Sequence, residues 1–364
     1  MTCEFDTVED AIAAIAAGDL VVVVDDDDRE NEGDLIMAAA KASSDKIGFM
    51  VRHTSGLLCA SITEDQAKRL HLDPMVARNE APLATAYTVT VDYKVGLTTG
   101  ISADERANTV QALASNNTAA DDFARPGHVL PLVSRQGGVL VRSGHTEAAV
   151  DLAHAAGMPP VGVLAEIVND DGNPKKLSEL CEFAAEFGLK IISIADLIAY
   201  RQRREELVIR TREFDVETAV GRARGHAYRT RFEDAEHLAL VFGNMKAGDD
   251  VVVRIHREKL IEDLFGSQTR HEESLLEASL NRLGELGGIL IYLRSGFAGV
   301  PLDTLAGGDD SRAGVRNRDW LEIGVGAQIL RNLGVSRLRI LAGREVDFVG
   351  LEGFGLTVVA TDLL

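Results

Sequence analysis

Cysteine is scarce in this chain: only Cys3, Cys59 and Cys181 occur among 364 residues. So odd and sparse a set excludes a disulfide framework and points to a reducing compartment, with the cytoplasm as the default. No apolar run approaches the ~18 residues that a spanning helix needs, so no membrane partner is expected. The stretch from Met1 to Asp10 lacks the basic and apolar regions of a secretory signal. Positive charge is in deficit. A net charge of −19 argues against a general nucleic-acid or anionic-membrane binder, although a local basic pocket could still hold a phosphate. Internal repeats and low-complexity segments are also missing.

What is present is an ordinary globular composition, long enough for two domains. Thr7 can cap a helix that Gly18 stops. The β-branched run Val21 to Val24 reads as a buried strand. Further strands are expected at Gly56–Ile62, Tyr87–Val91, Gly138–Val141, Val161–Ile167 and Lys190–Ile194. Helices are expected at Ser44–Val51, Asp65–Leu70, Asp104–Ala114, Glu147–Ala156 and Lys176–Phe187. Such a mixture implies layered α+β architecture. The charged stretch Ala199 to Glu206 reads as a helix end running into a linker, which places one domain at 1–204 and a second at 205–364. The second carries strand patterns at Ala219–Thr230, Leu238–Phe242, Asp250–Ile255 and Gly288–Leu293. A helix is expected there over Glu272–Leu286.

The segment Asp25 to Asp34 packs seven carboxylates into ten residues around Arg29. It is either a solvated acidic turn or a site for a hard divalent cation with oxygen ligands. Its place after a buried strand, with Gly33 to turn the chain, favours the site. Arg142-Ser143-Gly144-His145-Thr146-Glu147 has small residues opening a helix N-terminus, beside an arginine and a hydroxyl, as an anion site would. His145 could ligate a metal there, and His128 in Arg125-Pro126-Gly127-His128 could move protons. Glu166 either points to solvent from an alternating strand or faces a site at a strand end. Cys59 in an apolar strand is ordinarily inert packing.

Taken in order, six segments make residues 5–204 resemble 3,4-dihydroxy-2-butanone 4-phosphate synthase: Asp26 to Asp34, Arg52 to Gly56, Thr98 to Ala103, Arg125 to His128, Arg142 to Glu147, and Glu166 with Asn169 to Gly172. One small departure is Asp104-Glu105-Arg106, where the family carries aspartate just before the arginine; charge is kept. The resemblance implies a synthase-type α/β sandwich and a homodimer with active sites near the subunit interface. It implies Mg²⁺ or Mn²⁺ as cofactor. The implied reaction takes the sugar phosphate ribulose 5-phosphate to 3,4-dihydroxy-2-butanone 4-phosphate and formate. Glu30 and His145 would then ligate metal. Arg29, Glu30, Asp34, Arg142, Ser143, Gly144, His145, Thr146 and Glu166 would bind substrate. His128 and Glu166 would transfer protons, and Glu32 and Cys59 would line the site.

Residues 208–364 resemble GTP cyclohydrolase II, a smaller α+β domain, through Glu236 to Gly243, Val253 to Glu258, Asp263 to Ser267, Gly326 to Val335 and Gly350 to Leu356. The family's three zinc cysteines fall here on Lys259, Arg270 and Glu272. Its catalytic loop is replaced around Ser295 to Gly299, and its paired-asparagine turn becomes Ala342 to Glu345. Lys and Arg cannot replace a thiolate on zinc, so no zinc is expected; a substitute site from His256, His271 and Glu272 is the weaker reading. Three functions follow: a synthase with a catalytically inactive second domain, a bifunctional enzyme with rebuilt cyclohydrolase chemistry, and a non-catalytic pathway scaffold.

Overall fold

The computed structural model describes residues 4–25, 29–83, 85–231, 235–246, 248–265, 274–294, 324–343 and 351–364. The aspartates at 26–28, His271, Arg270, Glu272 and the segment Ser295 to Gly299 lie outside the described residues, as do Cys3, Arg344 and Glu345. The chain divides into two compact units, Met1–Tyr200 and Arg201–Leu364.

In the first unit, Thr7 accepts from the Asp10 N–H and Gly18, left-handed at φ 88°, ends helix α1 (Val8–Ala17), as expected. Seven strands form one sheet: β1 (Val21–Val24), β2 (Gly33–Ala38), β3 (Cys59–Ile62), β4 (Val91–Tyr93), β5 (Phe123–Val133), β6 (Gly162–Glu166) and β7 (Lys190–Ser193). Their order is β4-β5-β3-β6-β2-β1-β7. The sheet is mixed, with β3/β5 and β1/β7 parallel and β1/β2, β2/β6, β3/β6 and β4/β5 antiparallel. Every residue of β1 and β2 is buried, which explains unbroken apolar runs in place of alternation. One face, with Val22, Leu35, Ala60 and Val163, joins a core with Ile47 and Met50 of α2 (Ser44–His53), Val110 of α4 (Ala103–Ala114) and Phe183 of α6 (Leu177–Phe187). Burial of each large side chain there is worth roughly 2 kcal/mol. Helix α5 (His145–Ala155) lies against β2, β3 and β6. It lies so close that a Cβ on Gly162 would come within 2.6 Å of the Ala149 Cβ. A short helix, α3 (Glu64–Arg69), and the terminal α7 (Ile194–Arg204) complete the elements named for this unit; α7 runs past Tyr200.

Two expectations fail for physical reasons. Gly138–Val141 is not a strand: Gly137 and Gly138 are left-handed at φ 98° and 62°, and a 3₁₀ turn spans Gly138–Leu140. The Val139 N–H is held by Asp151 Oδ2 at 2.8 Å. Tyr87 and Thr88 make only isolated bridges, to Leu132 and Pro74. The facing strand carries Pro126 and Pro131, which supply no N–H to a ladder. Cys181 is disulfide-bonded, while Cys59 is a buried free thiol. Three cysteines exclude a framework but not a single bridge.

The second unit is also α+β. Its strands are β8 (Val208–Thr218), β9 (Gly221–Thr230), β10 (Glu236–Phe242), β11 (Asp250–Arg257), β12 (Gly288–Leu293), β13 (Arg337–Ala342) and β14 (Thr357–Leu363). They run in the order β14-β13-β11-β12-β10-β9-β8. Between β11 and β12 come α8 (Leu260–Phe265) and α9 (Leu275–Leu286), the latter capped by Ser274. Leu276, Leu280 and Leu283 of α9 pack on Val252, Leu290 and Leu341. A helix at 324–332 precedes β13.

Candidate active site

The site forms at one end of the first sheet, where β1 ends, β2 begins and β6 ends. One side chain organises the connection. Asp25 Oδ1 accepts the Glu32 N–H at 3.0 Å. Its Oδ2 accepts the Glu30 N–H at 3.1 Å and Arg29 Nη1 at 2.8 Å. The Asp25 N–H returns to the Glu32 carbonyl at 3.2 Å. Gly33 follows because nothing larger fits: a Cβ there would lie 2.6 Å from Leu180 Cδ1. These bonds turn Glu30 and Asp34 toward the N-terminus of α5, where His145 sits.

Ligand atoms of Asp25, Glu30 and His145 lie within 4.8 Å of one another. His145 Nδ1 is 3.5 Å from Glu30 Oε2 and 3.9 Å from Asp34 Oδ1. Among the described residues, His145 Nε2 and Asp34 Oδ1 are buried without a hydrogen-bond partner. Orphaned buried acceptors are costly, and a cation is the group that would satisfy both. Carboxylate oxygens with one imidazole suit a hard or borderline divalent ion such as Mg²⁺ or Mn²⁺. Burial pushes the Asp34 carboxyl up to about 7, with Glu166 and Glu30 adding and His145 opposing. Burial would lower His145, but Asp34 and Glu30 raise it to about 9. Burial would raise Glu30, yet the His145 contact and Arg29 hold it at about 2.

The opposite wall comes from β6 and the helix approach. Glu166 is the last residue of its strand, half-buried and facing the cavity, which settles the two readings of its pattern. Ser55 Oγ donates to Glu166 Oε2 at 2.9 Å. Arg142 Nη1 meets Glu147 Oε2 at 2.7 Å and Nη2 reaches the Leu83 carbonyl at 3.2 Å. Gly144 caps α5, where a Cβ would fall 2.6 Å from Arg142 Nη1 and 3.1 Å from Arg29 Nη2. The enclosed volume is about 280 Å³. Arg29, Glu30, Glu32, Asp34 and Cys59 line it, together with Arg142, His145, Thr146 and Glu166. Burial, with Glu30 and Glu166 adding, raises Glu32, and burial pushes the Cys59 thiol far up, so Cys59 packs as a neutral wall.

Ser143 and Gly144 stand behind Arg142 and do not line this cavity, nor does His128. His128 lies on β5, its imidazole 39% exposed, with Nδ1 at 2.7 Å from Asp92 Oδ2. Sequence reasoning missed the roles of Asp25, Ser55, Asp92 and Glu147. Asp25 and Glu147 sit inside segments already singled out, and a capping or pairing question would have found them. Ser55 also falls in a segment singled out, Arg52 to Gly56, but its partner Glu166 is far away in sequence, and Asp92 carries no local signal.

In the second unit, Lys259 pairs with Glu262 at 2.9 Å. His256 Nε2 and the Tyr292 hydroxyl both meet Asp263, at 2.9 and 2.7 Å.

Comparison with known proteins matches the two units separately. Residues 9–200 match the family described as 3,4-dihydroxy-2-butanone 4-phosphate synthase, and residues 209–362 that described as GTP cyclohydrolase II. The chain is 45% identical, over 98% of its length, to bifunctional riboflavin biosynthesis protein RIBA 1, chloroplastic, of Arabidopsis thaliana, and covers 68% of that protein. It is 46% identical, over 97% of its length, to riboflavin biosynthesis protein RibBA of Salinispora arenicola, covering 87% of it. Among solved structures it is similar to RibBX, a two domain 3,4-dihydroxy-2-butanone 4-phosphate synthase from A. baumannii. There the TM-score is 0.84 at 36% identity, over 98% of this chain and 99% of that one. A 3,4-dihydroxy-2-butanone 4-phosphate synthase in complex with two magnesium ions matches 55% of this chain and 98% of its own. The TM-score is 0.54 at 44% identity.

Proposed function

The chain belongs to the 3,4-dihydroxy-2-butanone 4-phosphate synthase family, joined to a domain of the GTP cyclohydrolase II family, and from that premise we propose how the synthase site works and what the second unit no longer does. It is a metal-dependent lyase of riboflavin biosynthesis acting on ribulose 5-phosphate. The observation that carries the site assignment is the cluster of Asp25, Glu30 and His145 beside Asp34, where His145 Nε2 and Asp34 Oδ1 are buried with no hydrogen-bond partner among the described residues.

In this reading Glu30 and His145 hold Mg²⁺ or Mn²⁺, which supplies charge stabilisation for oxyanions on adjacent substrate oxygens. The N–H groups opening α5, with Arg142, Thr146 and Arg29, take the phosphate. Ser143 and Gly144 shape that turn, and Glu147 holds Arg142 in place. Asp34 and Glu32 face the sugar hydroxyls. Glu166, steadied by Ser55, moves protons; several such transfers are needed for enediolisation, dehydration, skeletal shift and loss of formate. Cys59 closes the wall. His128 transfers protons in the site of a second copy of the chain. This homodimer is supported by His128 standing outside its own cavity and by the exposed apolar side chains of Leu57, Val95 and Ile101. The cytoplasm is the assigned location, with no nucleic-acid or membrane partner.

The second unit, 205–364, holds no zinc and is catalytically inactive in this reading. The segment contains no cysteine, and Lys259, paired with Glu262, stands where a thiolate is required. The alternative is a bifunctional enzyme, as the names of RIBA 1 and RibBA describe those relatives. One experiment separates the two. The purified full chain is assayed for formate with ribulose 5-phosphate and Mg²⁺, and separately with GTP and added zinc, alongside metal analysis. Formate from the sugar phosphate alone is expected. Formate from GTP, with about one zinc per chain, would restore the bifunctional reading.

A further inference from the structure

The chain path around His128 is set by a break in the β4/β5 ladder. Val91 pairs with Val129, but Asp92 pairs with Ala124, so Arg125 to His128 bulge out between adjacent rungs. Bulges re-aim side chains, and this one brings His128 onto Asp92. Asp92 is only 4% exposed. Both its oxygens serve one residue: Oδ1 accepts the His128 backbone N–H at 2.8 Å and Oδ2 faces the imidazole Nδ1 at 2.7 Å. The backbone closes tightly around the pair. A Cβ on Gly100, left-handed at φ 87°, would lie 2.1 Å from Asp92 Oδ2 and 2.6 Å from His128 Nδ1. A Cβ on Gly127 would lie 2.0 Å from the Val91 carbonyl carbon, and the Gly127 N–H is fixed by Thr90 Oγ1 at 3.1 Å. Arg106, buried on α4 with a 3.4 Å contact to the Gly56 carbonyl, lies near enough for its charge to interact with that of Asp92.

We propose that Asp92 is a positioning residue of the synthase reaction, acting through His128. A carboxylate can only accept, so Nδ1 carries the hydrogen and Nε2 is left as the basic nitrogen. When Nε2 takes a proton from substrate, the resulting imidazolium keeps its Nδ1–H on Asp92, whose charge offsets the new one. The inference rests on the reading that His128 transfers protons.

Asp92→Asn is the discriminating variant. Its amide oxygen can still accept the His128 backbone N–H, so the bulge is retained. Its NH₂ would donate to Nδ1 and force the proton onto Nε2, removing the base. Expected is a fall in kcat of about 10²–10⁴-fold with KM for ribulose 5-phosphate within about threefold and an unchanged melting midpoint. A purely structural Asp92 would leave kcat intact. In a His128→Asn background, Asp92→Asn should cost nothing further, because it acts only through the imidazole. Normal kcat in Asp92→Asn beside an inactive His128→Asn overturns the inference alone. Normal kcat in His128→Asn overturns the reading beneath it. If Asp92→Asn does not fold, ¹⁵N NMR of the unsubstituted enzyme decides. Protonated Nδ1 and bare Nε2 on His128 are expected, and the opposite tautomer refutes the proposal.

Discussion

Asp34 on β2 and Glu166 on β6 are direct cross-strand partners, so two carboxyl groups face one cavity from adjacent strands. Like charges placed opposite one another destabilise a sheet pair. Asp34 is buried, and its Oδ1 has no hydrogen-bond partner among the described residues. The pairing is therefore a cost to the fold that a bound cation would offset. Asp34→Asn should raise stability without metal by roughly 1 kcal/mol, or about 2–4 °C in melting midpoint measured in EDTA. The same change should lower turnover at least ~100-fold. A destabilised Asp34→Asn would mean that the carboxylate is part of the framework.

Metal removal should be reversible. Formate release is expected to stop in EDTA and return with Mg²⁺. Glu30→Gln and His145→Asn should each reduce turnover by at least ~100-fold, the loss expected when metal-borne charge stabilisation goes. Near-normal turnover in either variant would move the ligand assignment elsewhere in the cavity.

A fragment ending at Arg204 should fold, dimerise and keep synthase activity. It contains all of α7 and every residue assigned to the synthase cavity. Sedimentation and the formate assay test this. An insoluble or inactive fragment would make the second unit a required structural partner.

Acid should weaken the second unit through His237. Burial, with Arg294 adding, lowers this histidine to about 4, and the Arg294 N–H donates to its Nδ1 at 3.1 Å, which favours the neutral ring. Between pH 4 and the ordinary histidine value near 6.5 the unfolded chain binds more protons than the folded one. The stabilising contribution is thus complete above about 6.5 and lost as pH falls toward 4. The full swing is on the order of 3 kcal/mol. Urea melts of the full chain from pH 4 to 7 should show this slope, and His237→Gln should flatten it.

Helix α1 and strand β1 were legible because a cap, a stop and a β-branched run are local signals. Strand β2 was not: Leu35, Met37 and Ala38 favour helix by propensity, and only pairing with β1 and β6 makes them a strand. Strand β5 hides behind Pro126, Gly127 and Pro131. The site divides the same way. Glu30, His145 and Arg142 sit in compact, unusual segments. The Asp92–His128 contact joins residues 36 positions apart and Ser55–Glu166 residues 111 apart, and only the sheet order brings them together.

Asp25 ties itself to Arg29, Glu30 and Glu32 at once. Every one of those bonds depends on the number of residues that follow it. One residue inserted or deleted between Asp25 and Arg29 would change the spacing of all three bonds at once. A change of side chain at Glu30 or Glu32 leaves the backbone donors in place, and one at Arg29 removes only its own bond. Variation in this connection is therefore open to spelling but closed to length.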